Sequence, residues 1–111
     1  MKRLNFYPVY EEYLRSKKKT TTFRLGNYGS FKRGDEMMVS IGWDESNTVE
    51  LHPGRIREVY RRRVGDLNEI DFQGESPDCR TPETAKLVLG CIYRTIVRDE
   101  DELWVVKFDH V

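Results

Sequence analysis

The spacing of apolar residues changes several times along this chain, and each change marks an element. Val9, Tyr10, Tyr13 and Leu14 fall on one helical face with Glu11, Glu12 and Arg15 opposite. Pro8 suits the first turn of such a helix, where its missing N–H costs little. Leu4 to Tyr7 precedes it as a short strand or lead-in. The helical pattern fades into Ser16-Lys17-Lys18-Lys19. Thr20 to Leu25 is then rich in β-branched and aromatic residues and predicts a strand, which the Gly26-Asn27-Tyr28-Gly29-Ser30 turn ends.

Glu36 to Trp43 predicts a strand carrying Met38, Val39, Ile41 and Trp43, and Asp44 to Asn47 supplies turn chemistry. Thr48 to Leu51 predicts a short strand stopped by Pro53-Gly54, with a separate strand from Arg55 to Val64. Asp66-Leu67-Asn68-Glu69 resembles a capping box opening a short helix to about Gln73. A better helix follows Thr81-Pro82, since Ala85, Val88, Leu89 and Ile92 repeat at i, i+3, i+4 and i+7. Leu103 to Phe108 closes the pattern as a strand. The expected class is α+β: a small mixed β-barrel of about five or six strands with two or three helices on its rim.

Composition narrows this picture without redirecting it. A chain of 111 residues holds one domain and one core. Nineteen basic and nineteen acidic residues cancel, so no global field marks a generic nucleic-acid binder. No window approaches the about 18 apolar residues of a membrane span, and the first residues lack the apolar run of a signal peptide, so the cytoplasm is expected. Cys79 and Cys91 are expected to be reduced thiols rather than a disulfide framework. His52 and His110 stand far apart, with no cysteine or acidic spacing suited to zinc, and no metal is expected.

One junction concentrates candidate chemistry. Lys19, Thr22 and Arg24 bring a base, a hydroxyl and a fixed cation to the point where a helix ends and a strand begins. Residues three apart on a regular strand point to opposite faces. Lys19 therefore reaches the side of Thr22 only from the helix–strand turn, or across a bulge.

Taken with Gly34-Asp35 before a strand, the strand from Arg57 to Val64 leading into Asp66-Leu67, the helix closing in Ile92-Tyr93 and the last strand, the Lys18-Lys19-Thr20-Thr21-Thr22-Phe23-Arg24 segment resembles an ASCH domain of the PUA-like β-barrel superfamily. The resemblance covers nearly all of residues 1–111 as a single domain. Within the family the chain is similar to the small bacterial N(4)-acetylcytidine amidohydrolases. That likeness implies catalysis by Lys19, Thr22 and Glu75, with Arg24, Thr20 and Tyr93 contacting substrate. Gly74 stands before the acid here rather than after it, and Ser76 to Thr81 is longer than the family spacing. Glu69 and Asp71 therefore remain alternatives to Glu75.

The chemistry implied is deacylation of an exocyclic amine, which needs a nucleophile, a proton acceptor and a group to protonate the leaving nitrogen. Thr22 would supply the hydroxyl, a neutral Lys19 would take its proton, and Glu75 would orient water or return the proton. The expected partner is a modified nucleoside or RNA, with no metal, cofactor or membrane involved. Two other readings stand beside it: a non-catalytic RNA-binding PUA-like module, and an ASCH-type ribonuclease. For RNA contact the candidates are Arg57, Arg61 and Arg63, part of the one basic concentration, which an edge strand protected by charge explains equally well. Trp43, Tyr93 and Trp104 are candidates for base stacking or for core.

Overall fold

The computed structural model describes residues 2–111. Strand β1 (Lys2–Phe6) buries Leu4 and Phe6, and a 3-10 turn at Pro8–Tyr10 leads into α1 (Glu11–Arg15). This helix is shorter than the apolar pattern predicts. Only Leu14 is buried within it, while Val9 lies exposed before it. Full burial of one such leucine contributes about 1.5–3 kcal/mol, enough to seat a helix of little more than one turn. Strand β2 (Thr21–Arg24) and β3 (Glu36–Gly42) follow.

Strand β4 (Thr48–Arg63) is one continuous strand where two were expected. Pro53 does not break it, for a reason of register. Its carbonyl accepts from Val111 N (3.1 Å), on the side where β5 (Glu102–His110) begins its ladder only at the Gly54–His110 pair. N–H and C=O of one strand residue point the same way. The missing N–H thus costs no ladder bond, and pairing to β3 continues through Met38–Pro53.

Between β4 and β5 come a 3-10 turn at Val64–Asp66, α2 (Glu69–Phe72) and α3 (Pro82–Tyr93). The cap of α2 is Asn68 rather than Asp66, because residues 64–66 are taken up in the 3-10 turn. Asn68 and Asp71 form the reciprocal capping box. Thr81 caps α3, with Thr84 returning the bond.

The five strands form one mixed sheet in the order β1-β3-β4-β5-β2, with β1 parallel to β3 and all other pairs antiparallel. It is the expected small α+β fold. Strand β5 is buried on both faces. Val106 and Phe108 enter the core inside the curl with Leu4, Met37 and Ile56, whereas Leu103 and Val105 pack under α3 with Phe23 and Leu89. Edge strands β1 and β2 face each other across a seam that carries the site. Among the described residues no helix is long and apolar enough to cross a membrane.

Candidate active site

Lys19 is set by the turn between α1 and β2. Lys17 adopts the left-handed backbone (φ 64°), and the N–H groups of Lys18 and Lys19 both return to the Tyr13 carbonyl (3.0 and 3.1 Å). The chain thus reverses before β2 starts, and Lys19 escapes the two-residue alternation that would oppose it to Thr22. Its side chain is 3% exposed. Nζ donates to Glu75 Oε1 in a very short contact, to the Thr21 carbonyl (3.0 Å) and to Ser76 Oγ (3.4 Å). The Tyr10 ring centroid lies 4.9 Å away. An ammonium has three hydrogens, and these three contacts account for them. No hydrogen bond joins Lys19 to Thr22, although both line the same cavity.

Glu75 is delivered by the residue before it. Gly74 has φ 82°, and its carbonyl accepts the N–H groups of Thr20 (2.8 Å) and Thr21 (3.1 Å), fastening the loop to the start of β2. A Cβ at position 74 would overlap the Thr20 hydroxyl. Glycine before the acid is therefore a requirement of this packing. Gly74→Ala should cost about 2 kcal/mol or more from the left-handed backbone and the displaced threonine, and should part Glu75 from Lys19. Thermal melts would read the loss of stability. The Thr20 side chain lies against Gly74, and Thr20 is not among the residues that line the cavity.

Neither alternative acid reaches Lys19. Asp71 is wholly buried elsewhere, accepting from Tyr60 Oη, from Arg62 Nε and Nη2 (both 3.1 Å) and from the Asn68 N–H (3.0 Å). Burial opposes its ionisation, yet these donors hold its carboxyl below the usual range. Glu69 is exposed. Buried Lys107 secures the same region, donating to the carbonyls of Ile70 (2.9 Å) and Gln73 (3.2 Å) and to Thr21 Oγ1 (3.1 Å). Burial first, then Arg57, lowers its pKa.

Arg24 closes the seam. Nη2 donates to the Asn5 carbonyl on β1 (2.7 Å), Nε to Thr22 Oγ1 (3.1 Å) and Nη1 to Tyr28 Oη (3.3 Å), with the guanidinium 4.8 Å from the Phe6 centroid. It thus aims the Thr22 hydroxyl and joins the two sheet edges at once. Phe6, Tyr7, Tyr28, Trp43 and Tyr93 wall a cavity of about 690 Å³ whose polar lining includes Lys19, Thr22, Arg24 and Glu75. That volume suits a small organic ligand. Tyr93 Oη accepts from Leu25 N (3.2 Å), and burial raises its phenol pKa. Trp43 is 63% exposed and leans on Tyr7, so it is not core. Trp104 instead donates to the Gly26 carbonyl (2.8 Å).

The three arginines do not form a stripe. Arg57 pairs with Asp109 (3.3 Å) and Arg61 with Glu102, the latter over the Trp104 ring. A register shift between Ile56 and Glu58 places Arg57 at a break in the regular alternation to which Arg61 and Arg63 belong. None of the three lines the cavity.

The two histidines, remote in sequence, are partners in space. His52 Nε2 and His110 Nδ1 are 2.6 Å apart, and His110 Nε2 donates to the Lys19 carbonyl (2.7 Å). Among the described residues no group of three His, Cys, Asp or Glu forms a metal site. Burial, then His110, Lys17 and Arg15, lowers the pKa of His52. Between the folded and unfolded values the unfolded chain binds more protons. Stability should therefore be whole above about pH 6.5 and fall as pH drops below it. His52→Gln should flatten that acid limb in urea unfolding series.

Sequence reasoning missed Ser76, Asp78 and the placement of Tyr10. Ser76 is 2% exposed and touches Lys19, Glu75 and Asp78. Tyr10 donates to Asp78 Oδ2 (3.0 Å), and burial and then Asp78 push its phenol pKa up. No spacing rule marks such loop residues in advance.

No family model matches the chain, and no curated protein matches it in sequence. Its fold does match solved structures. An ASCH domain from Lactobacillus crispatus JV V101 superposes with a TM-score of 0.69 at 12% identity, covering 98% of this chain and 79% of that one. A DUF984 protein from Enterococcus faecalis V583 gives 0.59 at 18% identity, covering 90% and 68%. The chain has the fold of an ASCH domain.

Proposed function

We propose that this chain is an amidohydrolase that removes the acyl group from an N(4)-acylated cytidine, N(4)-acetylcytidine being the substrate to test. The observation that carries the reading is the buried Lys19–Glu75 pair set beside an Arg24-held Thr22 hydroxyl in one aromatic-walled cavity. A salt bridge this buried costs several kcal/mol of desolvation per ion and is weak as a stabilising device. Its place on a ligand-sized cavity points to chemistry.

The scheme requires Lys19 to act as a neutral amine, with Glu75, its hydrogen-bonded partner, taking the Nζ proton. Thr22 Oγ then attacks the acyl carbon while its proton goes to Lys19, with Arg24 Nε holding the Thr22 oxygen in line. Collapse breaks the C–N bond, and the leaving nitrogen takes a proton from the pair. Water, deprotonated by the same base, cleaves the acyl–Thr22 ester and restores the hydroxyl. The aromatic walls would stack the planar base.

Incubating the purified protein with N(4)-acetylcytidine and following cytidine by chromatography tests this directly. Release of cytidine and acetate in equal amounts is expected. An inert protein that instead binds RNA with a steep salt dependence would replace the reading with that of an RNA-binding module.

A further inference from the structure

We propose that Ser76 and Asp78 form the proton exit of the active site, a positioning pair that returns Lys19 to its neutral form between turnovers. The inference rests on the hydrolase reading for its purpose and on geometry for its path. Ser76 Oγ lies 3.4 Å from Lys19 Nζ, 3.1 Å from Glu75 Oε1 and 2.8 Å from Asp78 Oδ1. It is itself 2% exposed, whereas Asp78 is exposed to solvent. One hydroxyl therefore stands between the buried pair and water.

The reaction needs such a route. Hydrolysing an acylated cytosine amine consumes one water and yields an amine and a carboxylic acid. The exocyclic nitrogen is conjugated with the ring and leaves uncharged. The acid ionises near neutral pH, since carboxyl pKa values lie about 4. One proton per turnover is thus left on the Lys19–Glu75 pair while product still fills the cavity. An ammonium N–H of Lys19 passes its proton to Ser76 Oγ as the Ser76 O–H gives its own to Asp78. Lys19 ends neutral, Ser76 is unchanged, and the Asp78 carboxyl releases the proton to water or buffer.

The surroundings fit this direction. Tyr10 Oη holds the other Asp78 oxygen (3.0 Å), fixing the carboxylate, and Arg80 Nε donates to the Ser76 carbonyl (3.2 Å). Cys79 is buried, and burial keeps its thiol protonated, so it does not compete for the proton. On the far side Lys19 is faced by Tyr10 and by His110 at its carbonyl, while Arg24 and Thr22 complete the cavity.

Ser76→Ala and Asp78→Asn should each lower kcat by about tenfold or more, leave KM within about twofold, and regain rate when imidazole is added as a diffusible proton carrier. A purely structural defect would not respond to imidazole. Hydrogen exchange at Lys19 Nζ in the free protein, followed by NMR on ¹⁵N-lysine-labelled material, gives a second readout independent of substrate. Lys107 is the internal control, being 4% exposed and held mainly by backbone carbonyls. Slowed exchange at Lys19 but not Lys107 in both variants supports the path. Unchanged exchange, or a kcat loss that imidazole does not relieve, overturns it. A wild type inert towards N(4)-acetylcytidine would sink the hydrolase reading alone, and the exchange rates would then decide the path by themselves.

Discussion

Lys19→Ala should abolish deacylation, lowering kcat by about 100-fold or more, the usual cost of removing a general base or nucleophile. Thr22→Val and Glu75→Gln should do the same for different reasons. Thr22→Val keeps the shape of the side chain, the β strand and the Lys19–Glu75 pair, and removes only the hydroxyl that Arg24 Nε meets at 3.1 Å. Its melting temperature should stay close to that of the wild type while its rate collapses. Lys19→Ala should lose stability as well, because the Glu75 carboxylate is left buried without a cation. Cytidine release measured beside thermal melts separates the two effects. A Thr22→Val protein that still turns over would remove the nucleophile from the scheme.

A second large loss of stability should come from Asp71→Ala, far from the cavity. Asp71 is wholly buried and satisfies Tyr60, Arg62 and the Asn68 N–H at the start of α2. Removing one partner of such a network costs about 3–5 kcal/mol. The lower end is expected, because the Arg62 side chain is 36% exposed and can turn to water. A folded domain has only about 5–15 kcal/mol in hand, so a loss of this size is a large share of it. Urea unfolding would measure it. Because α2 runs directly into the Gly74–Glu75 loop, the variant should also weaken activity, and a variant of wild-type stability would refute this account of the network.

Much of this was legible in the chain because local patterns and tertiary packing agree. The apolar stripe of α3 and the β-branched run of β2 each predict what forms. The fading of helical spacing before Lys19 predicts the turn that lets it share a cavity with Thr22. Pro53 misled, since whether a proline breaks a strand depends on which side its missing N–H faces, and that is decided by a partner more than fifty residues away. The same holds for His52 and His110, which meet only through the β4–β5 ladder, and for Ser76, whose role comes from what lies against it. Glu75 rather than Asp71 meets Lys19 because the left-handed Gly74 packs on Thr20, a close approach that no spacing in the sequence marks.

The place of β5 in the sheet has a consequence for the order of biogenesis. β2, which carries Thr22 and Arg24, has one backbone partner in the sheet, and that partner is the last strand in chain order. During synthesis a ribosome would expose Lys19 and Thr22 long before the segment that pairs with them. The long loop closure from β2 to β5 must be met before its contacts give any return. A nascent chain therefore holds Lys19 and Thr22 without the cavity they line in the folded domain. The cavity is complete only once β5 lies between β4 and β2.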